Sequence, residues 1–277
     1  MFQRGLLIWF KVLLLIMVNA GLMVVMVTTT TAKPSLPGDR PSTQSKFLDF
    51  IGQWLFGGQP QPAAPSDRRK GGPPRDECPA TALALTALVP SSNPDLAREH
   101  TTTIAERPAF WFYVPYSPEL QQSVEFALVD ENEQDFYKAT FRLTNTPGIV
   151  SIRIPENHPP LVPDQLYHWV FSVACSPGNR SGDVAVDGWV KRAVIDSDLS
   201  KRLQQAATTQ QKLALYTDKR FWHETLNTLI EWRRSNPQDQ EANGAWLNLL
   251  KSAGLSTDIA NQPLTSCCST IANRPEP

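Results

Sequence analysis

Between Thr81 and Ile195 the apolar residues recur at every second position, and that period dictates strands. Val124, Phe126 and Leu128 form one alternating run. Tyr137, Ala139, Phe141 and Leu143 oppose Lys138, Thr140 and Arg142, and Val150, Ile152 and Ile154 oppose Ser151 and Arg153. Tyr167, Trp169, Phe171, Val173 and Cys175 share one face, and Val184, Val186 and Val190 another. Leu83, Leu85 and Val89 supply a further run at the start. Successive side chains on a strand point to opposite faces, so each run predicts a half-buried strand. The stretch Phe110–Trp111–Phe112–Tyr113–Val114 is apolar on both faces and predicts a central strand. Thr146–Pro147–Gly148 and Pro177–Gly178–Asn179 are turn signals between runs. Seven or eight strands at this spacing predict an immunoglobulin-like antiparallel β-sandwich over residues 78–196. Tyr167, just inside a late strand after Pro163–Asp164, stands where sandwich folds place a corner tyrosine.

After Ile195 the period becomes helical. Thr208 and Gln211 make a capping box ahead of a helix that carries Leu213 and Tyr216. Trp222, Leu226, Leu229, Ile230 and Arg233 occupy one face of a second helix that ends before Pro237. Trp246, Leu249, Leu250 and Ala253 mark a third, which stops at Gly254–Leu255. Tyr216, Trp222, Leu226, Leu229 and Pro237 are spaced like the second half of a tetratricopeptide repeat. Arg220 stands where that repeat has Gly, Trp232 stands where it has a small residue, and no neighbouring repeat is visible. Residues 197–265 therefore predict a small helical bundle with one tetratricopeptide-like hairpin. Its isolated apolar stripe needs a surface to bury it, so Trp222, Leu226 and Leu229 are expected to dock on the sandwich. Residues 266–277 read as a flexible tail.

The N-terminal part is different in kind. Arg4 precedes an apolar run from Val12 to Val27, and Thr30–Thr31–Ala32 offers small residues for a cut after Ala32. Residues 1–32 read as a signal peptide or, with Lys11 snorkelling, as an N-terminal membrane anchor over residues 5–27. Either reading places the rest in the periplasm or cell envelope. Residues 33–77 are rich in Pro, Gly, Ser and Gln and read as a disordered linker. Within it Phe47, Leu48, Phe50, Ile51, Trp54 and Leu55 line one helical stripe over 47–56, fit for a membrane surface, a partner, or the chain's own domain. The net charge of −1 becomes more negative once Arg4 and Lys11 are removed, which argues against nucleic acid.

The four cysteines suit an oxidising compartment. Cys78 precedes the first strand and Cys175 ends a late one; a disulfide between them and a pair of buried thiols are both compatible with this placement. Adjacent residues seldom bond to each other, so for Cys267 and Cys268 intermolecular pairing and free thiols stand beside a second bridge. There is no CxxC and no His at ligand spacing from a cysteine, so no metal is expected, and no cofactor. His223–Glu224 opens like a zincin helix, but Asn227 stands where the second zinc ligand belongs, and His223 reads as an exposed helix residue. His100, His158 and His168 fall in a loop, a Pro-rich turn and the second face of a strand. Asp130–Glu133 reads as a solvated hairpin tip, and Asn179–Arg180–Ser181 as a glycosylation sequon. No nucleophile elbow, phosphate loop or dinucleotide fingerprint is present, and no catalytic residue can be named.

Several segments together resemble a known family. They are Cys78–Pro79, Leu85 to Pro90, Pro108 to Tyr116 with its Phe-Trp-Phe-Tyr-Val-Pro-Tyr run, Pro147 to Val150, Tyr167–His168–Trp169, Asp187–Gly188–Trp189–Val190 and the helix from Trp222 to Pro237. Over residues 70–265 the chain is similar to the cyanobacterial domain-of-unknown-function family 928. The resemblance implies an exported protein with a variable Arg/Gly/Pro-rich stretch before the Cys-Pro, and brings no activity, cofactor or site residue. It implies an aromatic residue at the position of His223 and Asp at that of Glu224, which weakens a metal reading further. Three functions follow as expectations. The first is a non-enzymatic binding or scaffold module of the envelope that engages a protein or glycan, with Trp189, on the face opposite Val184, Val186 and Val190, as the partner-contact candidate. The second is an envelope hydrolase or glycan-acting enzyme whose carboxylates meet only in the fold. The third is a purely structural envelope component.

Overall fold

The computed structural model describes residues 69–72, 78–91, 100–118, 123–176 and 180–270. The leader 1–32, the stripe at 47–56, Asn179 of the sequon and residues 271–277 lie outside the described residues.

The alternating segments form two sheets. In the smaller, β1 (Thr86–Ala87), β3 (Ala109–Val114) and β6 (Gly148–Arg153) lie in that order, all antiparallel. The larger has the order β2-β8-β7-β4-β5-β9, made of β2 (Thr101–Thr103), β4 (Ser123–Val129), β5 (Asp135–Arg142), β7 (Leu166–Ala174), β8 (Val184–Arg192) and β9 (Ser269–Thr270). Its neighbours are antiparallel except β2 and β8, which run parallel. The inner faces meet through aromatic rings: Phe112 stacks on Phe171 with centroids 4.0 Å apart, and Phe110 packs on Phe126 at 5.0 Å. Burying each such side chain contributes about 1.5–3 kcal/mol.

The helices make a third layer. They are α1 (Ser197–Gln205), α2 (Thr209–Asp218), α3 (Trp222–Ser235), α4 (Gln240–Ser252) and the single turn α5 (Thr257–Ala260). Thr208 and Gln211 form the expected reciprocal cap of α2. Gly254, at φ +68°, ends α4 in a paired turn: Leu255 N donates to Leu250 O and Gly254 N to Lys251 O. Trp222, Leu226 and Leu229 share one buried cluster with Trp111 and Tyr113 of the small sheet and with Leu88, which follows β1, and Trp222 Nε1 donates to Leu88 O at 2.9 Å. Every residue of β3 is therefore buried. Phe110, Phe112 and Val114 face the large sheet while Trp111 and Tyr113 face the helices, which explains a strand apolar on both faces.

Three details refine the sequence reading. Residues 69–72, assigned to the linker by composition, belong to the fold. Ala87 N donates to Arg69 O and Gly71 N to Leu85 O, both at 2.7 Å. The buried Arg69 guanidinium donates to the carbonyls of Ala253 and Gly254 at the end of α4, where a helix attracts a cation. Second, the run Leu83, Leu85, Val89 yields only the two-residue β1, because the chain turns there to send Leu85 into one core cluster and Leu88 into the other. Third, Cys78 and Cys175 are disulfide-bonded with Cα atoms 5.0 Å apart, and Cys267 and Cys268 are bonded to each other.

Tyr167 is fully buried, its hydroxyl accepting from Val162 N at 3.1 Å and donating to Gln165 Oε1 at 3.0 Å. It thus ties the start of β7 to the preceding turn. Burial pushes this phenol above its ordinary range. Gly188 has an equally local reason: a Cβ there would lie 2.5 Å from the ring of Trp169, so the missing side chain lets that indole lie against β8.

Candidate functional site on the outer face of the large sheet

On β7 and β8 the inward positions are taken by Tyr167, Trp169 and Phe171 and by Val184, Val186 and Val190. Alternation turns His168, Val170, Asp187 and Trp189 to the other side. The register sets His168 opposite Trp189 and Val170 opposite Asp187. The His168 ring stacks on the Trp189 ring with centroids 4.6 Å apart and planes 29° from parallel. Its Nε2 lies 2.7 Å from Asp187 Oδ2, and both of these side chains are about one-fifth exposed. The carboxylate accepts the Nε2 proton and holds the imidazole against the indole. Trp189 itself is half-buried. Further along the same face Glu125 is flanked by Lys138 at 3.4 Å and Arg180 at 3.7 Å.

Beneath Trp189 lies a second polar group. Thr101 Oγ1 is 3.0 Å from Trp189 O and 2.9 Å from His223 Nε2, and His223 Nδ1 is 3.1 Å from Ala109 O. His223 is 4% exposed, which corrects the expectation of an exposed helix residue. The reason is that Phe221 bridges Thr102, laying the first turn of α3 against β2. Glu224 joins the same seam, with Oε1 accepting from Thr103 Oγ1 at 2.6 Å and from the amides of Ile104 and Ala105 at 3.0 Å. Asn227, in the position of a second zinc ligand, accepts instead from Arg153 at 3.0 Å. The His-Glu pair that opens like a zincin helix is thus a joint between helix and sheet. Burial holds the His223 pKa below its ordinary value, against the opposing pull of the Ala109 carbonyl and the Glu224 charge.

Thr101 and His223 have the spacing of a nucleophile and its base, yet the adjoining cavity leaves no space for a substrate. Lined by Leu88, Ala109, Trp111, Trp169, Trp222 and His223, it has room for about one water molecule. Small-molecule sites occupy roughly 300–1,000 Å³. The indole N–H groups of Trp111 and Trp169 are buried with no partner among the described residues. Among the described residues no three His, Cys, Asp or Glu side chains are grouped to hold a metal. No described helix is long and apolar enough to cross a membrane. Alternation alone places Trp189 on the outward side of β8. That His168 and Asp187 lie beside it follows from strand register, which local sequence does not carry.

These features define a β-rich domain of two facing sheets, covered on one side by a C-terminal helical region, with an imidazole, a carboxylate and an indole gathered on a sheet face. Its family model is the one described as Domain of Unknown Function (DUF928), which matches residues 69–264. The chain belongs to that family, and the match opens at Arg69, the first described residue of the fold. No curated protein matches the chain.

Proposed function

We propose that this protein is a non-enzymatic binding or scaffold module of the cell envelope, exported behind residues 1–32 and built on an immunoglobulin-like sandwich. Trp189, His168 and Asp187 are its partner-contact group, and the partner is an envelope protein or glycan. The observation that carries this reading is the His168–Trp189 stack steadied by Asp187 on the face turned away from the core. An aromatic side chain already fixed in place loses little entropy on binding, and Trp is the residue type most enriched among those that dominate interfaces. The alternative of an envelope hydrolase or glycan-acting enzyme whose carboxylates meet only in the fold finds less support, because the carboxylates on this face are each engaged, Asp187 by His168 and Glu125 by Lys138 and Arg180. Membrane association through residues 5–27 or 47–56 would hold the protein in the envelope. The test is capture by purified wall glycan and by cross-linking to envelope membrane proteins, comparing the full chain with its Trp189→Ala variant. Loss of capture in a folded variant supports the assignment, and equal capture removes it.

A further inference from the structure

The cysteine pair that follows the helices occupies a corner the proposed function leaves unused. Ile149 N donates to Pro263 O at 2.7 Å and Thr265 N to Ile149 O at 2.9 Å, so the chain here runs along the edge of β6. Asn145 Nδ2 donates to Ser266 O at 2.8 Å. Ser269 and Thr270 then pair with Arg142 and Phe141 on the edge of β5. β6 and β5 belong to different sheets, so the chain steps from one sheet to the other through Ser266, Cys267 and Cys268. Both cysteines pack against the cluster between the sheets, and they are bonded to each other. A bond between neighbours encloses no length of chain, whereas Cys78–Cys175 spans 97 positions and restricts the unfolded state. What the adjacent pair restricts is the corner itself.

We propose that the Cys267–Cys268 disulfide is a redox-controlled latch on the strap 263–270. Oxidised, it delivers β9 to the edge of β5; reduced, it lets β9 leave. The reductant is a protein dithiol. Its thiolate attacks one of the two sulfurs, forming a mixed disulfide and expelling the neighbouring cysteine as a thiolate, which takes a proton from water. The second thiol of the reductant, deprotonated, displaces the other cysteine, which is protonated in turn. Two electrons and two protons have then passed to Cys267 and Cys268, and the reductant leaves as a disulfide. β9 contributes only a two-residue pairing to set against the freedom the opened corner regains. Once β9 leaves, the edge of β5 presents backbone donors and acceptors to another strand.

The test titrates the full-length oxidised protein with dithiothreitol and follows differential alkylation by mass spectrometry together with amide hydrogen exchange. Cys267 and Cys268 should become alkylated while Cys78–Cys175 stays intact, and exchange at the amides that join β5 to β9, within 141–142 and 269–270, should quicken at least tenfold with the β4–β5 and β4–β7 pairings unchanged. A Cys267→Ser, Cys268→Ser double variant should show the same fast exchange without reductant. Free thiols at 267 and 268 in the oxidised protein would overturn the proposal, as would slow exchange in the double variant. Loss of both disulfides in a single global unfolding step would overturn it too.

Discussion

Trp189 and His223 share one hydroxyl: Thr101 Oγ1 lies 3.0 Å from the carbonyl oxygen of the first and 2.9 Å from Nε2 of the second. The Ala109 carbonyl can only accept, so Nδ1 of His223 carries a proton. In the neutral ring Nε2 is then bare, and it takes the single Thr101 proton at the expense of the Trp189 carbonyl. A protonated ring would donate through both nitrogens and release the Thr101 proton to Trp189. The buried joint of α3 is thus coupled by one proton to the strand that carries the candidate site.

This arrangement gives stability a pH dependence of definite sign. Burial keeps folded His223 below its ordinary pKa of 6.5, whereas in the unfolded chain it titrates near that value. Between the two values the unfolded state binds more protons, so this contribution is complete above about pH 6.5 and is lost as pH falls towards the folded pKa. Urea unfolding from pH 8 to pH 5 should show declining stability, and His223→Gln should flatten the decline. An identical slope in the variant would mean that His223 does not supply it.

Trp222 anchors the helical layer on Leu88, just after β1, and on β3. Trp222→Ala removes a buried indole and leaves the Leu88 carbonyl without its donor, and should cost about 3–5 kcal/mol. The helical and near-ultraviolet signals should fall together in one transition. Separate transitions for helices and sheets would show that the layers are energetically independent.

Gly188→Ala tests the close approach of Trp169 to β8. The added methyl group meets the indole at 2.5 Å and forces a core ring to move, at a cost of about 1–3 kcal/mol. Denaturant unfolding measures it directly, and a neutral result would mean that the Trp169 ring yields without strain.

How far the sequence could be read depended on whether a signal was local. The double-sided apolar run at Phe110–Val114 marked the central layer correctly, since burial on both faces leaves no other pattern. The Thr208–Gln211 box and the Gly254 stop were equally local and equally legible. β2 was not, because Thr101–Thr103 has no apolar alternation and is held by parallel pairing with distant β8. α1 escaped for the same kind of reason: Leu199 is its one buried residue, too little for a periodic stripe. Arg69 looked like a linker charge until the end of α4, far along the chain, supplied its carbonyls. His223 is buried because exposure on a helix depends on what the helix lies against, here β2 and β3, and local sequence does not carry that. The candidate site divides in the same way, with Trp189 visible in the pattern and its neighbours set by register.

The central claim, that Trp189 serves contact rather than folding, is tested most directly by measuring capture and melting temperature on the same Trp189→Ala protein. A dominant interface residue is worth about 2 kcal/mol or more, so affinity for wall glycan or the cross-linked envelope partner should fall by roughly 30-fold. The melting temperature should stay within about 4 °C of the parent, as expected for a change costing near 1 kcal/mol in a domain of this size. A variant that unfolds, or one that binds as the parent does, would contradict the account: in the first case Trp189 is part of the core, and in the second the outer face of β7 and β8 is not where the partner binds.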